Sequence, residues 1–200
     1  MASLAALAIA TTFLVAIPGP NVALIVANTL QYGLRVGLVT VAGKTAGVGV
    51  QLLLVVAGLA ALVELAADTL TWIRWAGVAY LVWLGIRTWR ESPADLRDVG
   101  AAPAMFWRGC LVAAINPKTL LFNAAFLPQF VTVDAGVAGQ PAVVAAVFLA
   151  VLFAGDMLWA ACAGSARRLF DRHAAARNRL TGGFLVAAGV GLALARTERL

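Results

Sequence analysis

Three charged residues stand inside apolar runs: Lys44 in AGKTAG, Lys118 in NPKT and Asp156 in AGDMLW. An ionised side chain at mid-bilayer costs at least about 2.5–3.5 kcal/mol, so each is expected to face the interior of a helix bundle. Asp156 is the one carboxylate well inside a span, which makes it the default proton carrier or ammonium partner. Lys118 follows directly on a proline and is placed to bind a substrate carboxylate. Lys44 and Asp156 lie eight or nine residues in from the same side, and this depth predicts that they pair in one state of a working cycle. The alternative is snorkelling to the inner interface, more for Lys44 than for Asp156.

The second chemical signal is a pair of helix breaks. IPGPN (17–21) interrupts an apolar run, and NPK (116–118) interrupts another. Pro18 and Pro20 lack N–H groups and clash with the carbonyls of Leu14 and Ala16, which become available to an ammonium group. Gly19 is a candidate N-cap with Pro20 as the first helical residue. The amides of Asn21, Val22 and Ala23 then open a new half-helix whose positive dipole end suits a carboxylate. In the second run Asn116 is the candidate N-cap, Pro117 the first helical residue and Ala113 the relieved carbonyl. Backbone freed at mid-membrane costs several kcal/mol per group in bare lipid, so it should line a cavity. Two facing breaks present acceptors and donors together, which fits a zwitterion. A pair of structural kinks packed by neighbours is the alternative.

The elements that must position these groups are membrane spans. The chain has 200 residues, of which 62% are hydrophobic and 12% charged, with mean hydropathy +0.93. Soluble domains carry about 25% charge, so the expected solvent here is lipid. A span needs about 20 apolar residues, which gives six: Leu4–Leu30, Val36–Val63, Leu70–Thr88, Phe106–Phe130, Ala142–Gly164 and Leu180–Ala195. The N-terminal stretch lacks a basic region and reads as a retained first span, not a cleaved signal peptide. The excess of 15 Lys+Arg over 9 Asp+Glu falls mostly between the spans and speaks for membrane orientation and lipid headgroups, not nucleic acid. Arg35, Arg87, Arg90, Arg97, Arg108 and the 166–179 cluster fall on one side. Glu64, Asp68 and Asp134 fall on the other, with Arg74 just inside span 3. The first side is therefore expected to be cytoplasmic, with both termini outside; five spans would move one terminus.

Residues 13–30 set over 110–127 share seven of eighteen positions, Pro20 falling on Pro117. AYLVWLGI (79–86) over GFLVAAGV (183–190) repeats Leu-Val and a glycine. Each half, about 1–90 and 106–200 around a linker at about 91–105, holds three spans, so the second enters the membrane upside down. The expected fold is an all-α membrane protein, one domain of six transmembrane helices in two inverted three-helix repeats. Gly33/Gly37 and Gly43/Gly47 are small-xxx-small pairs expected to serve packing within the monomer. Trp72, Trp75, Trp83, Trp89 and Trp107 fall near span ends as an interfacial belt. Cys110 and Cys162 form no CxxC pair and read as small buried hydrophobes. His173, the sole histidine, sits among arginines without ligand partners, so no metal role is expected of it.

IPGPN, NPKTLLFNAAFLPQFV, GDMLWAACAGSARRLF and RLTGGFLVAAGVGLALA together resemble the lysine exporter / homoserine-threonine resistance (LysE/RhtB) family, in motif order and over nearly the whole chain. The resemblance implies a multi-pass exporter of amino acids or related metabolites in a bacterial cytoplasmic membrane, driven by protons and needing no cofactor. It carries over Pro18, Gly19, Pro20, Asn21, Asn116, Pro117, Lys118 and Asp156. One departure bears on coupling and substrate charge. Many family members have a polar or acidic residue after the second glycine of span 2, whereas here Val48 follows Gly47 and the basic Lys44 stands a turn earlier. Two other classes compete. A metal or inorganic-ion exporter on a similar bundle would need intramembrane ligands, and a membrane enzyme or thiol-redox conduit would need an acid/base set or paired cysteines. Which amino acid is moved, and whether the chain forms a homo-oligomer, are left open by the sequence.

Overall fold

The computed structural model describes residues 4–54, 67–90, 102–123, 127–130, 140–169 and 174–194, and these are helical almost throughout. Eight α-helices follow in order among the described residues: α1 (Leu4–Ala16), α2 (Pro20–Tyr32), α3 (Leu34–Leu54), α4 (Ala67–Arg90), α5 (Ala102–Ala114), α6 (Pro117–Leu121), α7 (Gln140–Leu169) and α8 (Ala174–Leu194). A 3-10 turn covers Leu127–Phe130. The loop charges Glu64, Arg97, Asp134 and Arg172, together with His173, lie outside the described residues.

Two helices are by themselves long and apolar enough to cross a membrane, Leu34–Leu54 and Pro141–Arg167. The pair α1 and α2 makes a third, bent by 58° at its break. The chain is a multi-pass membrane protein, and its surface agrees: Phe13, Leu53, Leu158 and Trp107 are all exposed. Such residues are at home against acyl chains. Cys162 is exposed and Cys110 half-buried, not buried as the sequence implied. On a lipid-facing helix an apolar thiol has no need of burial.

Proline and glycine decide where the helices start and stop. Gly19 caps α2 in extended backbone with Pro20 in its first turn, and Asn116 caps α6, its side chain accepting from the Lys118 amide at 3.0 Å. The second half-helix is shorter than the expected single span from Phe106 to Phe130: α6 ends after five residues at Leu121, and a π-type turn follows at 122–123. At the other end of α2, Gly33 takes φ 99°, a conformation favouring glycine. One residue thus separates α2 from α3.

Glycine also lets backbones approach. A Cβ on Gly43 would stand 2.0 Å from the Phe106 carbonyl oxygen, and one on Gly47 would stand 2.2 Å from that of Cys110. The small-residue face of α3 therefore packs on α5 inside the monomer. Gly85 and Gly182 bring α4 and α8 together in the same way, each within 2.8 Å of the other's carbonyl oxygen by that measure. α3 on α5 and α4 on α8 are the most extensive pairings, while α7 lies on α1, α2 and α3. Nearly every side of α2 is buried, its polar Asn21, Asn28, Thr29 and Gln31 included, which puts it at the centre of the bundle. One apolar cluster joins Leu7, Val15, Val48, Ala113, Phe148 and Leu152 from α1, α3, α5 and α7. A second joins Ala23, Leu24, Leu81 and Leu185 from α2, α4 and α8.

Candidate functional site

The two breaks meet, and Lys118 joins them. Its ammonium donates to the carbonyls of Leu14 and Ile17, both at 2.7 Å. Its stem passes over Gly19, with Cδ 3.5 Å from where a Cβ would stand. The expected acceptors were Leu14 and Ala16, so Ile17 replaces Ala16. The physical reason lies in the turn at 17–19. Pro18 is four residues past Leu14 and frees that carbonyl as expected, but by Pro20 the chain has left the helix axis and the i−4 relation to Ala16 no longer holds. Ala16 and Pro18 are exposed. Trp159, the tryptophan not assigned to the interfacial belt, donates Nε1–H to the Val15 carbonyl at 3.0 Å.

Among the first amides of α2, that of Ala23 is already spent on the Gly19 carbonyl at 2.8 Å, which leaves those of Asn21 and Val22. In the second break the Ala113 carbonyl accepts from the Asn116 amide at 3.1 Å and from Gln51 of α3. Its Nε2 donates to Ala113 at 2.8 Å and Ala114 at 3.0 Å. Asn123 in turn donates to Gln51 Oε1 at 3.0 Å. Buried backbone acceptors are seldom left bare, and a mid-span glutamine is the device that meets this need here. Sequence reasoning missed Gln51, Asn123, Thr119 and Trp159. A polar side chain in the apolar run of span 2 was the available signal for Gln51.

Lys44 and Asp156 form an ion pair between α3 and α7, with both side chains buried. A desolvated pair of this kind is weak evidence for stability, yet removing one partner is costly. The pair borders a small cavity between the breaks. Leu14, Gly19, Asn21, Val22, Lys44, Asn116, Lys118 and Asp156 line it, together with Val15, Thr119 and Leu152. Ala16, Pro18, Pro20 and Pro117 shape the backbone without lining it. Asn21 is only 6% exposed, and neither its amide nitrogen nor its oxygen has a hydrogen-bond partner among the described residues; the same holds for Asp156 Oδ1. Two lysines, one carboxylate and the N-terminal end of α2 give the cavity an excess of positive character.

The cavity measures about 20 Å³, room for a single water. Small-molecule sites span about 300–1,000 Å³, so the cavity that the two breaks line is too small in this conformation to hold an amino acid, and the site is shut. A larger cleft of about 260 Å³ lies at the α4–α8 seam beside Ile86, Trp89, Arg90 and Val186, and it contains none of the residues singled out above. Among the described residues no three His, Cys, Asp or Glu side chains cluster as metal ligands would.

The LysE type translocator model matches residues 12–196 of the chain. A homoserine/homoserine lactone efflux protein of Salmonella typhimurium is 34% identical over 125 residues, covering 60% of this chain and 61% of that protein. A leucine efflux protein of Klebsiella pneumoniae is 29% identical over 150 residues, covering 72% and 70%. An uncharacterized membrane protein of Vibrio cholerae is 36% identical over 118 residues, covering 57% and 58%. The chain thus spans about three fifths of the length of the Salmonella protein. No solved structure matches it. With both proline breaks inside the matched region, the chain belongs to the LysE type translocator family.

Proposed function

We propose that the chain is a secondary active transporter, not an enzyme, that exports amino acids or related small zwitterions across the bacterial cytoplasmic membrane in exchange for protons. The observation that carries this reading is the meeting of two proline-broken spans around Lys118, Asn21 and the Lys44–Asp156 pair. Carbonyls released by Pro18 suit a substrate ammonium, while Lys118 and the free amides of α2 suit its carboxylate. Asp156 is the proton carrier, and Lys44 is the partner that holds it between transfers. The efflux relatives support amino acids as substrates. The metal-ion alternative draws no support from the described residues.

The same reading takes the bundle as six spans in two inverted repeats, with both termini periplasmic. Helix pairing supports the repeat. Gly43 of α3 abuts α5, and Gly155 of α7 abuts Val15 of α1, so the second span of each half leans on the first span of the other. Ala42-Gly43-Lys44 and Ala154-Gly155-Asp156 stand in matching spans. Counterparts that lie on a two-fold axis meet one another, as Lys44 and Asp156 do.

Everted vesicles carrying the protein should accumulate labelled leucine or homoserine when a proton gradient is imposed. Asp156→Asn, inserted at equal level, should abolish the gradient-driven part. Flux no greater than that of membranes without the protein would refute the transport reading, and unchanged flux in the variant would remove Asp156 from coupling.

A further inference from the structure

We propose that Lys118 is a tethered stand-in for the substrate's ammonium group: it occupies the ammonium seat while the carrier is empty and gives it up to the substrate. The inference rests on the reading of this site as a zwitterion carrier. Helix breaks at membrane depth are costly unless their carbonyls find donors. In the shut state the carbonyls of Leu14 and Ile17 find one in Lys118, 2.7 Å from each. The seat that the backbone offers to a visiting ammonium is therefore held by one belonging to the chain.

Charge then decides what can displace it. Lys44 already holds Asp156, and Lys118 has no carboxylate partner among the described residues. Two ammonium groups thus share one carboxylate around a cavity that the backbone makes still more positive. A zwitterion resolves both needs at once. Its ammonium takes the carbonyls of Leu14 and Ile17, and its carboxylate receives the released Lys118. A simple amine would expel Lys118 with nothing to pair it. A simple carboxylate would draw Lys118 away and leave the carbonyls bare. The requirement for both charges on one ligand follows from the occupied seat. Asn21, buried at the cavity wall with both amide atoms unpartnered, is positioned to bond the arriving group.

Thermal unfolding of the purified, detergent-solubilised protein tests this with three probes: L-leucine, n-butylammonium and 2-hydroxyisocaproate. The wild type should be stabilised by leucine and by neither of the others. Lys118→Met should be less stable than wild type, and n-butylammonium should restore it, as a small amine filling the vacated carbonyls would. The amine's apparent Kd in the variant should be lower by about tenfold or more, the least ratio expected when the two charge-assisted hydrogen bonds of Lys118 need not be displaced. Lys118→Gln, which keeps an uncharged N–H donor group, should respond less than Lys118→Met. Equal protection of wild type and variant by n-butylammonium would overturn the proposal, as would protection of the wild type by n-butylammonium matching that by leucine, a result needing no variant. Absence of leucine and homoserine flux in wild-type vesicles would instead strike the transport reading, because the amine contrast is read without transport.

Discussion

Removing one half of the buried ion pair is the sharpest perturbation the structure offers. Lys44 is 3% exposed and Asp156 fully buried, and they are each other's hydrogen-bonded partner. In Lys44→Met the stem volume is nearly kept while the ammonium goes. Asp156 then loses its one bonded oxygen's partner, its other oxygen having none among the described residues. An uncompensated buried charge costs about 3–5 kcal/mol. For a chain of this size each kcal/mol moves Tm by about 2–4 °C, so unfolding followed by tryptophan fluorescence in detergent should shift down by roughly 6–20 °C. The double variant Lys44→Met/Asp156→Leu removes both charges, and replacing a buried pair by apolar groups is often neutral or stabilising by about 1–4 kcal/mol. It should recover most of the lost stability and yet carry no proton-driven flux. If Lys44→Met melts with the wild type, or the double variant is as unstable as the single, the pair does not hold α3 to α7 by charge and the reasoning fails.

Three further substitutions probe the scaffold. Gly43→Ala drives a Cβ to 2.0 Å from the Phe106 carbonyl oxygen, whereas Gly49→Ala meets nothing within 4 Å. Unfolding midpoints should fall in the first by about 1–3 kcal/mol and hold or rise in the second; equal behaviour would refute the close crossing of α3 and α5. Gln51→Leu removes the side-chain donor from the Ala113 and Ala114 carbonyls, the first of which keeps the Asn116 amide at 3.1 Å, and an acceptor from Asn123. It should cost about 1–3 kcal/mol for each buried group left unsatisfied, with faster amide exchange at 113–116 by mass spectrometry as the local sign.

The breaks were legible because proline acts locally. A missing N–H and a fixed φ foretell a cap at Gly19 or Asn116 without any knowledge of the surroundings. The meeting of Lys44 and Asp156 was legible from depth, since two helices entering from one side carry equal counts to equal heights. What the chain does not announce is where long side chains turn. Lys118 has four rotatable bonds, and its choice of Leu14 and Ile17 depends on where the turn at 17–19 brings those two carbonyls. Gln51 is one polar residue among apolar ones, and its task exists only because Pro117 of another span has stripped donors from α5. The length of α6 was likewise hidden, because nothing in the composition after Leu121 marks the change to a π-type turn at 122–123. The cavity's volume is a property of packing, and hydropathy has nothing to say about it.

The single-residue junction at Gly33 has a mechanical consequence. Its amide closes onto the Thr29 carbonyl at 2.9 Å, and Asn28 binds Thr40 across the corner, also at 2.9 Å. With one residue in between, α2 and α3 form a tied corner. Because α2 begins at the proline break and α3 carries Lys44, that corner fixes the spacing between the break and the ion pair.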